Sequence, residues 1–193
     1  MLEINNLTKK YGNITASDHL TFSLNDGTIT VLLGPNGAGK STVRKAIIGF
    51  LKFEGSIKVN GLDSITAQSR RITGYVPEIP SLYPNLTVME HLEFVARAYR
   101  LKNYKEKAEA LLKRFELYDY RNKFGDELSK GMQQKLNICI AFLIDPKLIL
   151  MDEPFIGLDP HAIKELKNLL LEKKDEGCTI LISTHIIDSI ESL

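Results

Sequence analysis

The sequence predicts an α/β fold: a mostly parallel central sheet, an N-terminal antiparallel β subdomain and an inserted helical subdomain. Three observations carry this. The runs TITVLL (28–33), KLILM (147–151) and TILIS (179–183) are continuously apolar, the form of parallel strands covered on both faces. Each run turns abruptly polar at its C-terminal end, into GPNGAGKS, DEP and TH respectively. Finally, the stretch 87–126 has helical periodicity and no strand of its own, so it reads as an insertion into the α/β core.

Taken in order, LEINNL and LTFSL read as early, half-exposed strands. TITVLL is expected to be a buried strand, with a helix following from Ser41 to about Phe50. GSIKVNG is a short strand ending in an Asn-Gly turn. RITGYVP is another strand. From Thr87 to about Phe115, Val88, Leu92, Val95, Ala96 and Tyr99 form one apolar stripe, and Asn103 breaks the region into two helices. A helix from Ser129 to about Ile144 precedes the strand KLILM. A helix from Pro160 to about Lys174 precedes TILIS. The last residues, HIIDSIESL, read as a helix inside which the sequence stops, so the C-terminus is expected to be short or truncated. The spacing predicts one catalytic unit over 1–193, with 1–86 and 127–193 as core and 87–126 as the helical insertion, which extends into the helix at Ser129.

Bulk properties exclude several classes. Lys plus Arg number 25 and Asp plus Glu 24, so the net charge of +1 gives no reason to expect a broad nucleic-acid face. The two cysteines, Cys139 and Cys178, lack CxxC spacing and read as buried thiols. The N-terminus lacks the apolar stretch of a signal peptide, and no apolar run approaches the ~20 residues that span a bilayer, so a cytosolic chain is expected.

In open parallel sheets, ligands bind at the carboxyl ends of the strands. The glycine-rich loop, Asp152 with Glu153, and His185 should therefore converge on one crevice. The loop fits G-x-x-x-x-G-K-[ST] through Gly34, Gly39, Lys40 and Ser41, the pattern of a P-loop NTPase. Pro35, Asn36, Gly37, Ala38 and Thr42 complete it; its backbone N–H groups would turn around phosphate oxygens, with the positive end of a helix dipole behind them. Lys40 would reach the terminal phosphates and the Ser41 hydroxyl would hold Mg2+. Asp152 is the natural carboxylate for the metal, reached through water. Glu153 points elsewhere and is placed to take a proton from attacking water. His185 could donate to the γ-phosphate. His19, His91 and His161 have no comparable context and read as surface or core residues.

A second helix start, LSKGMQQK from Leu128 to Lys135, also has a serine and a glycine suited to an anion, but no strand precedes it and it has no loop lysine in the P-loop manner. Within one subunit it has nothing obvious to bind. It makes sense if it faces the nucleotide of another subunit across a two-fold axis. Here the chain resembles the nucleotide-binding subunit of ATP-binding-cassette (ABC) transporters, of the exporter-type branch that serves drug, antibiotic or polysaccharide transporters. GPNGAGKS is similar to that family's Walker A loop, LSKGM to its signature, LILMDE to its Walker B strand, GLD (157–159) to its D-loop and His185 to its switch histidine. The resemblance covers essentially the whole chain. It implies ATP and Mg2+ as ligands, ATP hydrolysis coupled to transport, and head-to-tail dimer closure on ATP. It further implies that Ser129 and Gly131 contact the γ-phosphate across the dimer, that Asp159 ties the two sites together and that Tyr11 stacks on adenine. It implies a location on the cytoplasmic face of the cell membrane and a separate transmembrane permease, seated in a groove near Ile79, Leu82, Tyr83 and Leu86.

Two departures stand out. Glu78 occupies a position where the family usually has glutamine, a residue that contacts Mg2+ and water. A carboxylate ~6 Å from a phosphate charge costs roughly 3 kcal/mol at an effective dielectric of ~20, which a metal between them would offset, so Glu78 is expected to serve the metal. Lys130 and Met132 replace glycine and glutamine in the signature. The alternative function is a soluble regulatory or DNA-transaction ATPase of the same type, but those proteins usually carry a long coiled-coil insertion or two cassettes in one chain, and neither is present. A GTPase would show N-K-x-D, which is absent.

Overall fold

The computed structural model describes residues 1–35 and 37–185. Two four-stranded sheets organise them. The first is antiparallel, in the order β2-β1-β4-β5, built from β1 (Leu2–Tyr11), β2 (Ile14–Leu24), β4 (Glu54–Val59) and the two-residue β5 (Leu62–Asp63). The second is parallel, in the order β3-β8-β7-β6, from β3 (Ile29–Leu33), β6 (Thr73–Val76), β7 (Leu148–Asp152) and β8 (Thr179–Thr184). The α/β class and the antiparallel β layer agree with the sequence expectation. The turn between β4 and β5 has Asn60 at φ 52° and Gly61 at φ 77°, the paired positive angles that an Asn-Gly hairpin turn requires.

One strand departs from the expectation. The run 28–33 reads as a strand covered on both faces, yet β3 is only half-buried and Leu33 is 51% exposed. Among the described residues β3 has β8 as its sheet neighbour and forms the sheet edge. β7 and β8 meet the expectation instead. Ile149, Met151, Ile180 and Ile182 enter one core, while Leu148, Leu150 and Leu181 enter the other. Alternate side chains of a strand point to opposite faces, so a strand between two cores must be apolar throughout.

The first core lies under α3 (Val88–Tyr99), α4 (Tyr104–Arg114), α5 (Lys130–Leu143) and α6 (Pro160–Asp175). The second joins the antiparallel sheet to α1 (Lys40–Ile47). A short helix α2 (Ala67–Arg71), capped by Thr66, has no counterpart in the sequence reading. At the break between α3 and α4, Asn103 adopts φ 53°. In the stripe of α3, Val88, Leu92 and Ala96 are fully buried. Both cysteines are buried and free, and burial pushes the Cys178 thiol up to about 11. Among the described residues, no helix is long and apolar enough to cross a membrane. The C-terminal stretch 186–193, read as a helix, lies outside the described residues.

Candidate functional site

The carboxyl ends of β3, β7 and β8 open into one cleft of about 190 Å³, lined by residues 37–42, Arg44, Glu78, Asp152, Glu153 and His185, with Ala16 at its rim. β3 delivers the loop at its edge-strand end, and α1 starts inside it. Gly39, at φ +86°, is the residue before the first helical turn, and a Cβ there would lie 2.3 Å from the backbone oxygen of Ala16. Only glycine meets both conditions. Lys40 folds its ammonium back onto the carbonyls of its own loop, donating to Gly34 and, at 3.0 Å, to Pro35. Gly34 and Pro35 thus hold the lysine rather than line the cleft. Asn36 lies outside the described residues.

β7 ends on Asp152, which is in register with Ser183 of β8. The Ser183 hydroxyl donates to Asp152 Oδ1 at 3.0 Å, and Asp152 is buried. Glu153, 7% exposed, takes φ +45°, a strained angle for a residue with a side chain. Three groups from the end of β8 fix its carboxylate. The Thr184 hydroxyl donates to Oε2 at 2.8 Å, the His185 amide donates to Oε1 at 2.9 Å, and His185 Nδ1 lies 2.7 Å from the same oxygen. With Nδ1–H on an ionised carboxylate, a neutral ring leaves Nε2 as an acceptor, so donation to a phosphate oxygen takes the protonated ring.

The sequence reading missed three residues here. Ser183 and Thr184 are the polar end of TILIST, and the alternation of a strand carries one to Asp152 and the next to Glu153. Arg44 has no place in the sequence reading, and it is only 1% exposed. It lies four residues after Lys40 and three after Ser41, one turn down the same face of α1. Its Nη2 donates to Ser41 Oγ at 2.7 Å, its Nε donates to the Lys40 carbonyl at 3.3 Å, and its Nη1 pairs with Asp152 Oδ1. Burial lowers its pKa, opposed by the nearby Tyr75, Glu78 and Glu153, and a guanidinium stays charged in such a setting.

Four residues expected at a nucleotide do not line this cleft. Tyr11 sits 49% exposed at the end of β1, with the Lys9 ammonium 5.0 Å from its ring centroid. Ser129 caps α5 by accepting from the Met132 amide at 3.3 Å. Gly131 packs against the D-loop backbone, where a Cβ would lie 2.7 Å from the Gly157 oxygen. Asp159 caps α6 through the Ala162 amide at 2.9 Å and pairs with Lys135 at 2.6 Å. His91 is a satisfied core histidine: Nε2 accepts from the Tyr83 amide at 2.9 Å and Nδ1 donates to the Thr87 carbonyl at 2.8 Å. His19 and His161 lie on the surface.

Among the described residues, no cluster of three or more His, Cys, Asp or Glu side chains is built to hold a metal alone. That suits Mg2+, which uses one or two carboxylates and takes its remaining oxygens from water and phosphates. The Ser41 hydroxyl, Asp152 and Glu78 bring hard oxygen donors to one cleft, so the donor set fits.

A glycine-rich loop at a helix start, an acidic pair at the end of the next strand but one and a histidine just after the strand between them define a P-loop ATPase. The chain belongs to the ABC transporter family, whose domain it matches over residues 17–156. It is 40% identical to the ABC-type transporter ATP-binding protein EcsA of Bacillus subtilis strain 168, covering 99% of this chain and 79% of that one. It is 36% identical to the SkfA peptide export ATP-binding protein SkfE of the same organism, covering 98% and 81%. A solved structure described as the ATP-binding subunit of an ABC transporter superposes with a TM-score of 0.93 at 41% identity, over 97% of this chain and 80% of that one. The chain is therefore an ATP-binding, ATP-hydrolysing transporter subunit.

Proposed function

We propose that the cleft holds the triphosphate of ATP and that two cassettes, packed head to tail, complete each other's site. The observation that carries this is the convergence of Lys40, Ser41, Asp152, Glu153 and His185 on one open cleft while Ser129 and Gly131 stand elsewhere. A cleft of about 190 Å³ is small beside the roughly 300–1,000 Å³ of pockets that enclose such ligands alone. The cleft is open, and in this reading a second surface supplies its outer wall.

In this reading the amides and dipole of the loop after β3 bind the phosphates, Lys40 leaves the loop carbonyls to reach them, and Tyr11 stacks on adenine. Ser41, Asp152 and Glu78 would hold Mg2+, which neutralises phosphate charge when bound. Glu153 takes the proton of the attacking water, using the lone pair that Thr184 and His185 leave open, and His185 orients the γ-phosphate. The partner's Ser129 and Gly131 cap the γ-phosphate, and Asp159 links the two sites. Residues 87–126 act as a helical unit on the catalytic core of 1–86 and 127–193.

The second partner is a transmembrane permease, which places the chain on the cytoplasmic face of the cell membrane. Ile79 and Tyr83 are 78% and 54% exposed, and Tyr83 makes a T-shaped contact with the half-exposed Phe94 at 5.4 Å between centroids. Such a patch is an interaction surface by its chemistry. Leu82 and Leu86 are half-buried, and Leu82 packs on the helical core, so they anchor the patch. The peptide-export name of SkfE supports the exporter branch. The rival role in regulation or DNA transactions has no support in the relatives or in the net charge of +1.

The test is Glu153→Gln with Mg2+ and ATP. Hydrolysis should fall by roughly 10²-fold or more, the worth of a positioned general base, while binding persists. The chain should elute as an ATP-dependent dimer in size exclusion. Undiminished phosphate release would remove Glu153 from the role.

A further inference from the structure

Arg44 is a fully buried cation whose guanidinium rests on two of the three groups assigned to the metal. It donates to Ser41 Oγ at 2.7 Å and pairs with Asp152 Oδ1, the same oxygen that Ser183 holds at 3.0 Å. A metal arriving at Ser41 and Asp152 therefore meets a fixed positive charge already in contact with its ligands. Taken alone, that arrangement repels the metal and lowers the charge that Asp152 presents to it. Glu78 stands on the same cleft, and its carboxylate lies within electrostatic range of Arg44.

The charges of the cleft make the relation clear. With His185 counted as neutral, two cations, Lys40 and Arg44, face three carboxylates, Glu78, Asp152 and Glu153. Taking away Arg44 and Glu78 together leaves one cation and two carboxylates, the same formal charge of −1. Taking away either alone shifts that charge by one. The carboxylate of Glu78, whose cost the sequence reading assigns to the metal alone to offset, thus also has an internal counterpart.

We infer that Arg44 and Glu78 are a compensating pair: Arg44 positions Ser41 and Asp152 as a built-in counter-cation, and Glu78 restores the negative charge that Mg2+ requires. The inference rests on the nucleotide-site reading proposed above. Glu78 faces solvent at the mouth of the cleft, so it can approach an incoming metal without breaking packing. Arg44 cannot leave without exposing a hole between Ser41 and Asp152. The division of labour follows: the buried member sets geometry and the exposed member sets charge.

The test is equilibrium binding of a fluorescent ATP analogue to the purified chain, titrated with Mg2+ and repeated in a chelator. Glu78→Gln should raise the half-saturating Mg2+ concentration by about threefold or more, and should tighten binding of the metal-free analogue, because one negative charge has gone. Arg44→Met should move both quantities the opposite way. Arg44→Met with Glu78→Gln should return the Mg2+ midpoint to within about twofold of the unaltered chain. A purely structural role for either residue predicts that both single changes weaken binding and that the double change is worse; that outcome overturns the pair. Should Arg44→Met fail to fold, Glu78→Gln at its exposed position and Arg44→Lys, which keeps the cation, still decide the matter. An unmoved or lowered Mg2+ midpoint in Glu78→Gln, or a lowered one in Arg44→Lys, overturns the inference. Failure of the unaltered chain to bind the analogue at any Mg2+ concentration would instead overturn the nucleotide-site reading itself.

Discussion

At Gly39, two independent constraints fall on one residue. Its φ of +86° is a left-handed angle, and a Cβ would stand 2.3 Å from the Ala16 carbonyl oxygen. Gly37 shares the φ of +86° but has open space where a Cβ would go. The two glycines separate backbone strain from steric clash. Gly37→Ala should cost about 1–2 kcal/mol of stability, the left-handed penalty alone. Gly39→Ala should cost more, because the Ala16 carbonyl belongs to backbone and cannot swing aside; the displaced loop should also lose nucleotide binding. Paired urea melts check the difference, and equal losses would show that the loop absorbs the clash. Gly39 was legible in the sequence because the P-loop pattern demands a glycine just before the lysine, whereas Gly37 falls at one of its open positions. Arg44 was not, since a cation in STVRK has no local mark of burial. Its place was decided by Asp152, more than a hundred residues away.

The D-loop and α6 show what an element's ends contribute. Pro160 fills the first position of α6, where a missing N–H costs nothing, and Asp159 caps it. Asp159 also receives the Lys135 ammonium from α5, whose side chain is only 9% exposed. The Lys135 hydrogen bond, and then the Ala162 amide, hold the Asp159 carboxyl below the usual carboxylate range. A carboxylate whose folded pKa is depressed stabilises the fold above its unfolded pKa, and that contribution disappears as pH falls through the folded value. Asp159→Asn keeps an acceptor for the cap but loses the charge. Because Asp159 is about half-exposed, screening limits the pair, and a loss of about 0.5–1 kcal/mol at pH 7 is expected. Urea melts across pH should show the gap to the unaltered chain closing in acid. A gap constant with pH would mean that Lys135 contributes nothing through charge. The start of α6 was readable in GLDP, and the buried strands β7 and β8 in their unbroken apolar runs. The edge position of β3 was not, because periodicity reports burial and leaves the order of strands in a sheet undetermined. The five-residue α2 is too short to carry a periodic signal.

For the whole molecule, the deciding fact is that Ser129 and Gly131, at the signature helix start, do not line the cleft that holds the phosphate loop. If two copies meet head to tail, every nucleotide site takes its loop from one copy and its Ser129 from the other. This makes a prediction that no single-chain site can imitate. Lys40→Met should silence both sites of its own dimer by removing the charge on the phosphates. Ser129→Arg should silence both sites of its own dimer by filling the opposite wall. In a mixed dimer, however, one site combines the intact loop of the Ser129→Arg chain with the intact Ser129 of the Lys40→Met chain, and both defects fall on the other site. Random exchange of equal amounts leaves about a quarter of all sites intact, so phosphate release should recover toward about a quarter of the unaltered rate. Mixing the two inactive proteins and measuring phosphate release, with differently tagged chains to verify that mixed dimers form, is the experiment. Recovery requires that the two halves of a site come from different polypeptides, because neither variant holds an intact pair of its own. Mixed dimers without recovery would place the complete site within one chain, and with it would fall the reason for a second anion-binding helix start in a subunit that has only one phosphate loop.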